Sequence, residues 1–374
     1  MHDADVIVVG GGLVGAALAY GLAKQQQRVL MVDADDSSIR AAHGNFGLVW
    51  IQNKGYGLGA YARWSMRAGN AWPAFARELD SETGVNPHLM QRGGFHLCFD
   101  DTELALRQAR LQSIADSVGG DYPFQMLDGA ALQAYLPGIG SHVAGASFTE
   151  MDGHANPLLL HRALYSACRD RRVQIRGGHA VEKIAYTRAD GFAIDLGSDT
   201  VRAPRVVLAA GLGNAQLAPQ VGLSAPVKPH RGQILITERV ERFLAYPTPY
   251  VRQTDNGTVQ LGDSLEDVGF DDRTTPEIVG AIAARAVRCF PALAHVKLVR
   301  AWGALRVMSP DGFPIYEASR DCPGAFIVTC HSGVTLAPLH AGAIARWIAS
   351  GALPEGIDAF GASRFGSESM AYEH

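Results

Sequence analysis

The stretch from Asp5 to Asp33 confines this chain to a small set of folds. Val6–Val9 is a short β-branched run, as a strand buried on both faces requires. Gly10-Gly-Gly-Leu-Val-Gly15 follows at once, and Ala16–Lys24 then reads as a helix rich in Ala and Leu. Gln25–Gln27 is a polar connection, and Arg28–Val32 is a second buried strand ending in Asp33. Strand, G-x-G-x-x-G, helix, strand, acid is the fingerprint of a dinucleotide-binding βαβ unit. Gly10 allows the tight turn, Gly12 lets backbone approach a pyrophosphate, and Gly15 lets helix and strand pack closely. Leu13 and Val14 open the helix, whose free N–H groups and partial positive charge face the phosphates. Asp33, 18 residues after Gly15 and followed by Ala34, is placed to accept ribose hydroxyls. A carboxylate there argues against a ribose 2′-phosphate. A purely structural glycine turn is the alternative, and the flanking strands and the acid count against it. The fingerprint alone does not separate NAD from FAD.

The rest of the chain has room for more than this unit. It has 374 residues, 47% hydrophobic and 19% charged, which excludes a disordered chain. At roughly 100–200 residues per domain, two domains are expected. A net charge of −4 advertises no basic surface, so neither nucleic acid nor an anionic membrane is an expected partner. Cys98, Cys168, Cys289, Cys322 and Cys330 are scattered and never form C-x-x-C, which counts against a disulfide framework, a zinc ribbon or any other metal site. Reduced thiols and a first segment without a basic, apolar leader point to the cytoplasm. No run approaches about 20 apolar residues, so no membrane span is expected.

Further motifs carry a resemblance. Ser37–Trp50 reads SSIRAAHGNFGLVW, a loop of small residues whose backbone can come near a flat ligand. Arg205-Val-Val-Leu-Ala-Ala-Gly211, Pro229-His-Arg-Gly-Gln233, Trp302-Gly-Ala-Leu-Arg-Val-Met-Ser-Pro-Asp-Gly312 and His331-Ser-Gly-Val-Thr-Leu-Ala-Pro338 follow in order. Together they resemble the D-amino-acid oxidase superfamily of FAD-dependent amine oxidoreductases, which includes glycine and sarcosine oxidases. The resemblance implies FAD, held by Ala42, His43, Gly44, Asn45, Phe46, Gly47 and Leu48. It implies Val181 too, in a strand over Ala180–Ile184, meeting the adenine. It adds Ala210, Gly211 and Gly303, and Ser332, Gly333, Val334 and Thr335 at the start of a helix. That helix is read from Gly333 to Ser350, stopped by Gly351, with its N–H groups facing the flavin's pyrimidine carbonyl.

The fold class read from these patterns is α/β, α+β overall. A Rossmann-like FAD-binding domain (1–84, 143–225 and 303–374) is interleaved with an antiparallel-sheet substrate domain (85–142 and 226–302). Alternating runs such as Gln233–Thr237 and Thr258–Gly262 suggest an antiparallel sheet with one side facing a ligand.

No nucleophile–base–acid constellation is visible, which fits an enzyme whose cofactor carries the chemistry. An amino-acid carboxylate needs a cation, and an arginine fork matches it in two hydrogen bonds. Arg306 stands where glycine-oxidase-like proteins carry that arginine; pairing with an internal carboxylate such as Asp311 is the structural alternative. Tyr250 is the expected second carboxylate contact, with Tyr246 as its rival. His331 is placed beside flavin or substrate, or is structural. Covalent attachment occurs in some relatives, but the segment that carries their cysteine reads Val307-Met-Ser-Pro310 here, and non-covalent FAD is expected. Val307 departs from the usual proline after the arginine. Gln260 stands where sarcosine oxidases carry a lysine that helps oxygen react, a hint towards a dehydrogenase.

Gly44–Gly55 and Gly153-His-Ala-Asn-Pro-Leu-Leu-Leu160 are similar to the catalytic subunits of bacterial opine oxidases, hydrogen cyanide synthase and D-hydroxyproline dehydrogenase. That subgroup implies a small amino-acid substrate and partner subunits carrying further redox centres, with any membrane association running through those partners. The expectation is an FAD-dependent dehydrogenase of a D-amino acid or secondary amino acid, of D-hydroxyproline or opine type. A glycine- or sarcosine-type oxidase using oxygen, a catalytically silent flavin-binding subunit and a simple NAD-dependent dehydrogenase stand as alternatives.

Overall fold

The computed structural model describes residues 2–34, 41–197 and 199–366. Val6–Val9 and Val29–Val32 are buried along their whole length. They lie inside a six-stranded sheet ordered Ile315–Ala318, Ala325–Thr329, Val206–Leu208, Val6–Val9, Val29–Val32, Gln174–Arg176. Its pairs are parallel except the outer one, where Ile315–Ala318 runs antiparallel. Val6 and Val8 pack into one apolar cluster with Leu18, Leu22, Trp72 and Leu336. Ile7 and Val9 pack into another with Phe192, Ile194 and Ile327. Successive side chains point to opposite faces of a strand, so burial on both faces explains a run with no polar alternation.

The chain leaves Val6–Val9 through Leu13–Lys24 to Val29–Val32 on one side, and pairs with Val206–Leu208 on the other. That makes the carboxyl end of Val6–Val9 a topological switch point, where open α/β sheets bind ligands. A Cβ on Gly15 would lie 1.8 Å from the Gly10 carbonyl oxygen, and one on Gly21 would lie 2.2 Å from that of Ala341. The first helix therefore touches strand and C-terminal helix through bare backbone. That C-terminal helix runs from Gly333 to Ser350, with a π-helical turn over His340–Ile344, and ends at Gly351 with φ 78°.

Two antiparallel sheets form the second half. One is ordered Val251–Gln253, Thr258–Leu261, Lys228–Arg239, Leu298–Met308; the other Gly94–Cys98, Gly145–Thr149, Gln125–Asp128. Phe95, Leu97 and Phe148 of the second share a core with Leu235, Val251 and Leu261 of the first, closed by the helix Pro276–Cys289. The pairing Ile234↔Trp302, His230↔Arg306, Ile236↔Gln260 and Arg252↔Gln260 sets those residues on the face opposite this core.

The helix Pro157–Asp170 begins at Asn156, whose Oδ1 accepts the N–H groups of Leu158 and Leu159, each at 3.2 Å. The strand expected over Ala180–Ile184 begins only at Ile184 and runs to Thr187. Residues 180–183 approach it as irregular backbone. No helix among the described residues is long and apolar enough to cross a membrane.

Candidate cofactor and active site

A cavity of about 470 Å³ opens at the switch point. Gly10, Gly12, Leu13, Val14, Asp33, Ala34, Ala42, Asn45, Val181, Ala210, Gly211, His331 and Gly333 line it together. Gly10 has φ 110°, and a Cβ there would lie 2.3 Å from the Ala209 carbonyl oxygen. Around Gly12 the nearest atom to such a Cβ is 3.8 Å away, so its backbone faces the open cavity. The helix that starts at Leu13 has no side-chain cap, leaving its first N–H groups to a ligand. Asp33 Oδ2 accepts the Gly11 N–H at 2.5 Å, which orients the carboxylate at the cavity edge.

These features fit a dinucleotide. Asp33 and Val181 mark the adenosine end, the uncapped helix the pyrophosphate, and Cys330, His331 and Gly333 the far end, where a flavin would lie. Phe270 and Asp272 also line the cavity. They belong to a strap, residues 263–275, that crosses the long strands. Arg231 Nη2 fastens it to Glu266 Oε2 at 2.7 Å. Sequence reasoning missed the strap because it carries no periodic pattern. A Cβ on Gly303 would lie 2.4 Å from the Asp272 carbonyl oxygen, so Gly303 makes room for the strap and does not line the cavity.

Gly15, His43, Gly44, Phe46, Gly47, Leu48, Ser332, Val334 and Thr335 stand behind the lining. Positions 37–40 of the expected flavin loop lie outside the described residues. His43 packs edge-on against His161, ring centres 5.3 Å apart. Three consecutive carbonyls are held from the antiparallel sheet: Trp302 Nε1 donates to Gly44 at 3.4 Å, Gln260 Nε2 to Asn45 at 3.5 Å, and Arg252 Nε to Phe46. Thr335 Oγ1 accepts the Trp50 N–H at 3.2 Å and donates to the Leu48 carbonyl at 3.3 Å. The segment is thus clamped between sheet and C-terminal helix. Desolvation pushes the buried Arg252 guanidinium down to about 10 and the neighbouring His154 imidazole to about 3.

Arg306 lies on the sheet face shared with Trp302, Gln260 and Arg252, outside the cavity lining. Its Nη1 donates to the Ser264 carbonyl at 2.7 Å and its Nη2 pairs with the Asp263 carboxylate. Asp311, the internal partner considered for it, instead takes Arg364 at 2.7 Å. Tyr250 does not reach the cavity either. Its ring packs near Phe99 and beneath the Arg285 guanidinium, 4.6 Å from the ring centre, and burial raises its phenol. Tyr246 packs edge-on against Phe95, ring centres 5.3 Å apart. Arg285 Nη2 donates to the Gly262 carbonyl at 2.7 Å and also to that of Asp263, so Tyr250 and Arg306 are joined through that turn. Cys330 lines the cavity, with its thiol pushed up to about 12 by burial. No group of three or more His, Cys, Asp or Glu side chains among the described residues could hold a metal.

Comparisons with known proteins bear on the family and the fold. The family described as FAD dependent oxidoreductase (DAO) matches residues 5–347. An opine oxidase subunit from Rhizobium meliloti is 40% identical over 369 residues, covering 98% of this chain and 99% of its own length. The HcnC subunit of hydrogen cyanide synthase from Pseudomonas protegens is 30% identical over 406 residues, 96% of each chain. Glycine oxidase from Geobacillus kaustophilus superposes with a TM-score of 0.85 at 24% identity, covering 93% of this chain and 95% of that one. L-proline dehydrogenase from P. horikoshii gives 0.85 at 19%, covering 97% and 98%. At such identities the two solved structures speak for the fold alone.

Proposed function

The chain belongs to the DAO family of FAD-dependent oxidoreductases, and on that premise we propose that it is the FAD-carrying subunit of an amino-acid dehydrogenase. Its substrate is an N-substituted or cyclic amino acid of the opine or D-hydroxyproline class, oxidised to an imine. The observation that carries this reading is the Arg306 guanidinium, which already holds a carboxylate, that of Asp263. A substrate carboxylate offers the same chemistry in a planar pair of oxygens.

FAD, when bound, supplies the acceptor for the hydride leaving the substrate Cα. The chain's residues do the rest. Arg306 exchanges Asp263 for the substrate carboxylate and so orients the Cα–H bond. Trp302, Gln260 and Arg252 fix the backbone of residues 44–46 through its carbonyls. A Cys330 thiol held near 12 stays protonated and is a poor nucleophile, which supports non-covalent FAD. Gln260 presents a neutral amide where sarcosine oxidases carry an ammonium; glycine oxidases also do without it, so this is a hint towards passage of electrons to partner subunits. The opine oxidase and hydrogen cyanide synthase relatives are, by their names, subunits of larger enzymes.

The test is anaerobic. The purified yellow protein is mixed with octopine, nopaline, D-hydroxyproline, D-proline, glycine and sarcosine, and its visible absorbance is followed. Bleaching by an opine or a cyclic amino acid, with slow return of colour in air, is the expected result. Bleaching by glycine or sarcosine with rapid return and stoichiometric peroxide would make it an oxidase instead. A yellow protein that none of these reduces, alone or with its partners, would leave it a silent flavin-binding subunit.

A further inference from the structure

The strap over residues 263–275 carries an apolar tip open to solvent. Leu265, Val268 and Phe270 are 49%, 39% and 75% exposed. Gly269, between the last two, has φ 62° and nothing within 4 Å of where a Cβ would stand, so the turn projects clear of its surroundings. Phe270 borders the cofactor cavity together with Asp272, Leu305 and Val307, and meets solvent as well. An exposed apolar patch rimmed by polar groups marks a contact surface.

Arg231 explains why the tip keeps its shape. Its side chain is 4% exposed, its Nη2 pairs with Glu266 at 2.7 Å and its Nη1 with Asp271 at 3.1 Å. Arg231 and Glu266 also exchange two backbone hydrogen bonds, at 2.9 and 3.0 Å. One guanidinium therefore holds the residue before the tip and the residue after it. The buried Gln233 donates to Glu266 at 3.1 Å and accepts the Thr275 N–H at 3.0 Å. A loop tied in this way gives up little freedom when another surface docks on it.

Charge names the kind of surface. The strap holds five acids (Asp263, Glu266, Asp267, Asp271 and Asp272) and one base, Arg273, a net −4 equal to that of the whole chain. Arg306 takes Asp263, Arg231 takes Glu266, and Arg231 and Arg273 share Asp271. Asp267 and Asp272, on either side of Phe270, take no ion pair among the described residues. Such a rim attracts a basic surface and repels an acidic one.

We infer that residues 265–272 are the docking face for an electron-accepting partner subunit whose contact surface is apolar at its centre and basic around it. A partner seated there stands at the wall of the cofactor cavity. The inference rests on the reading that electrons pass to a partner and not to oxygen.

The experiment needs no amino-acid substrate. FAD in the purified holoprotein is reduced anaerobically with one equivalent of dithionite. It is then mixed with cytochrome c, a basic protein whose apolar haem edge is ringed by lysines, or with the same protein made acidic by succinylation. Each haem iron takes one electron, so one reduced FAD reduces two cytochromes and releases its protons to water. At about 10 mM salt the native cytochrome is expected to react at least about tenfold faster than the succinylated one, and at about 1 M salt the difference is expected to vanish. Asp267→Lys with Asp272→Lys is expected to slow the native form at least about tenfold and to speed the succinylated one. Asp116→Lys with Asp121→Lys makes the same change of charge beside the cluster of Leu111, Ile114 and Tyr122, and is expected to leave both rates nearly unchanged. Phe270→Ser is expected to slow the native form about fivefold at either salt, through lost apolar contact. Affinity for FAD, read by flavin fluorescence, is expected to hold in every variant; a fall in the strap variants would make the strap a cover for the cofactor and overturn the inference. Equal rates for the two cytochromes, no reaction with either, or equal slowing by the remote pair would overturn it too. A protein that passes this test while no amino acid reduces it would lose the proposed substrate and keep the docking face.

Discussion

Replacing Arg306 puts the proposed carboxylate site at risk most directly. Its guanidinium lies flat against Gly232, where a Cβ would come within 2.3 Å of Nη1 and 2.4 Å of Nη2. The fork is therefore aimed by the sheet and not free to swing. Arg306→Met removes two charge-assisted hydrogen bonds to a substrate carboxylate. At about 1.5–3 kcal/mol each, the loss is about 3–6 kcal/mol, or on the order of 10²–10⁴ in Kd. Asp263 competes for the same fork, but the side chains of the pair are 17% and 45% exposed. A pair so open to water is worth below about 1 kcal/mol, so Asp263→Asn is expected to tighten substrate binding by up to about fivefold. Arg306→Lys keeps the charge without the planar fork and falls between. The assay is anaerobic stopped-flow bleaching of the flavin against substrate concentration, which separates Kd from the limiting rate. An Arg306→Met protein with bound FAD and an unchanged Kd would refute the assignment. Weaker binding in Asp263→Asn would refute the exchange of one carboxylate for another.

Three further outcomes are expected. Gly15→Ala places a methyl 1.8 Å from the Gly10 carbonyl oxygen; the helix must retreat, and FAD affinity, read by fluorescence titration of the apoprotein, falls at least about tenfold. Normal affinity would mean that the helix–strand contact does not shape the pyrophosphate site. FAD added to apoprotein at about 100 times its Kd is expected to raise folding stability by about 2.7 kcal/mol, seen as a higher Tm; an unchanged Tm would argue against the cavity as the FAD site. Burial pushes the Asp152 carboxyl from 3.8 up to about 7, against N–H donors from Ile51 and Gln52 that pull it down. From about pH 4 to 7 the unfolded chain then holds fewer protons at this residue than the folded one, so its contribution to stability falls as pH rises. The wild type minus Asp152→Asn difference in urea midpoints is expected to decline across that window, and a difference that rises would reverse the reading.

The βαβ unit, and that it cradles a dinucleotide, were legible because their signals are local. Val6–Val9, Gly10, Gly12, Gly15 and Asp33 lie within 28 residues, and each does its work through backbone geometry that its own residue type sets. The C-terminal helix and its stop at Gly351 were legible for the same reason. Membership of the DAO family rests on motifs of that kind, spread along the chain but each readable by itself.

What the local pattern did not contain is which side chains meet. Asp311 is five residues from Arg306 and pairs elsewhere, while Asp263, 43 residues away, takes the guanidinium. Trp302, Gln260 and Arg252 reach the carbonyls of residues 44–46 across 258, 215 and 206 residues of chain. Lys54 meets Ser332 across 278. These contacts depend on strand register, where a slip of one residue turns every side chain to the other face, and on helices approaching through bare glycine backbone. The sequence by itself determined that this chain builds a dinucleotide cradle, since single residues there act on their own backbone, and its further motifs carried the resemblance that implied FAD as the dinucleotide. Only the tertiary structure decided which charges face one another around the flavin end, because a side chain's partner is set by the packing of segments that share no local signal.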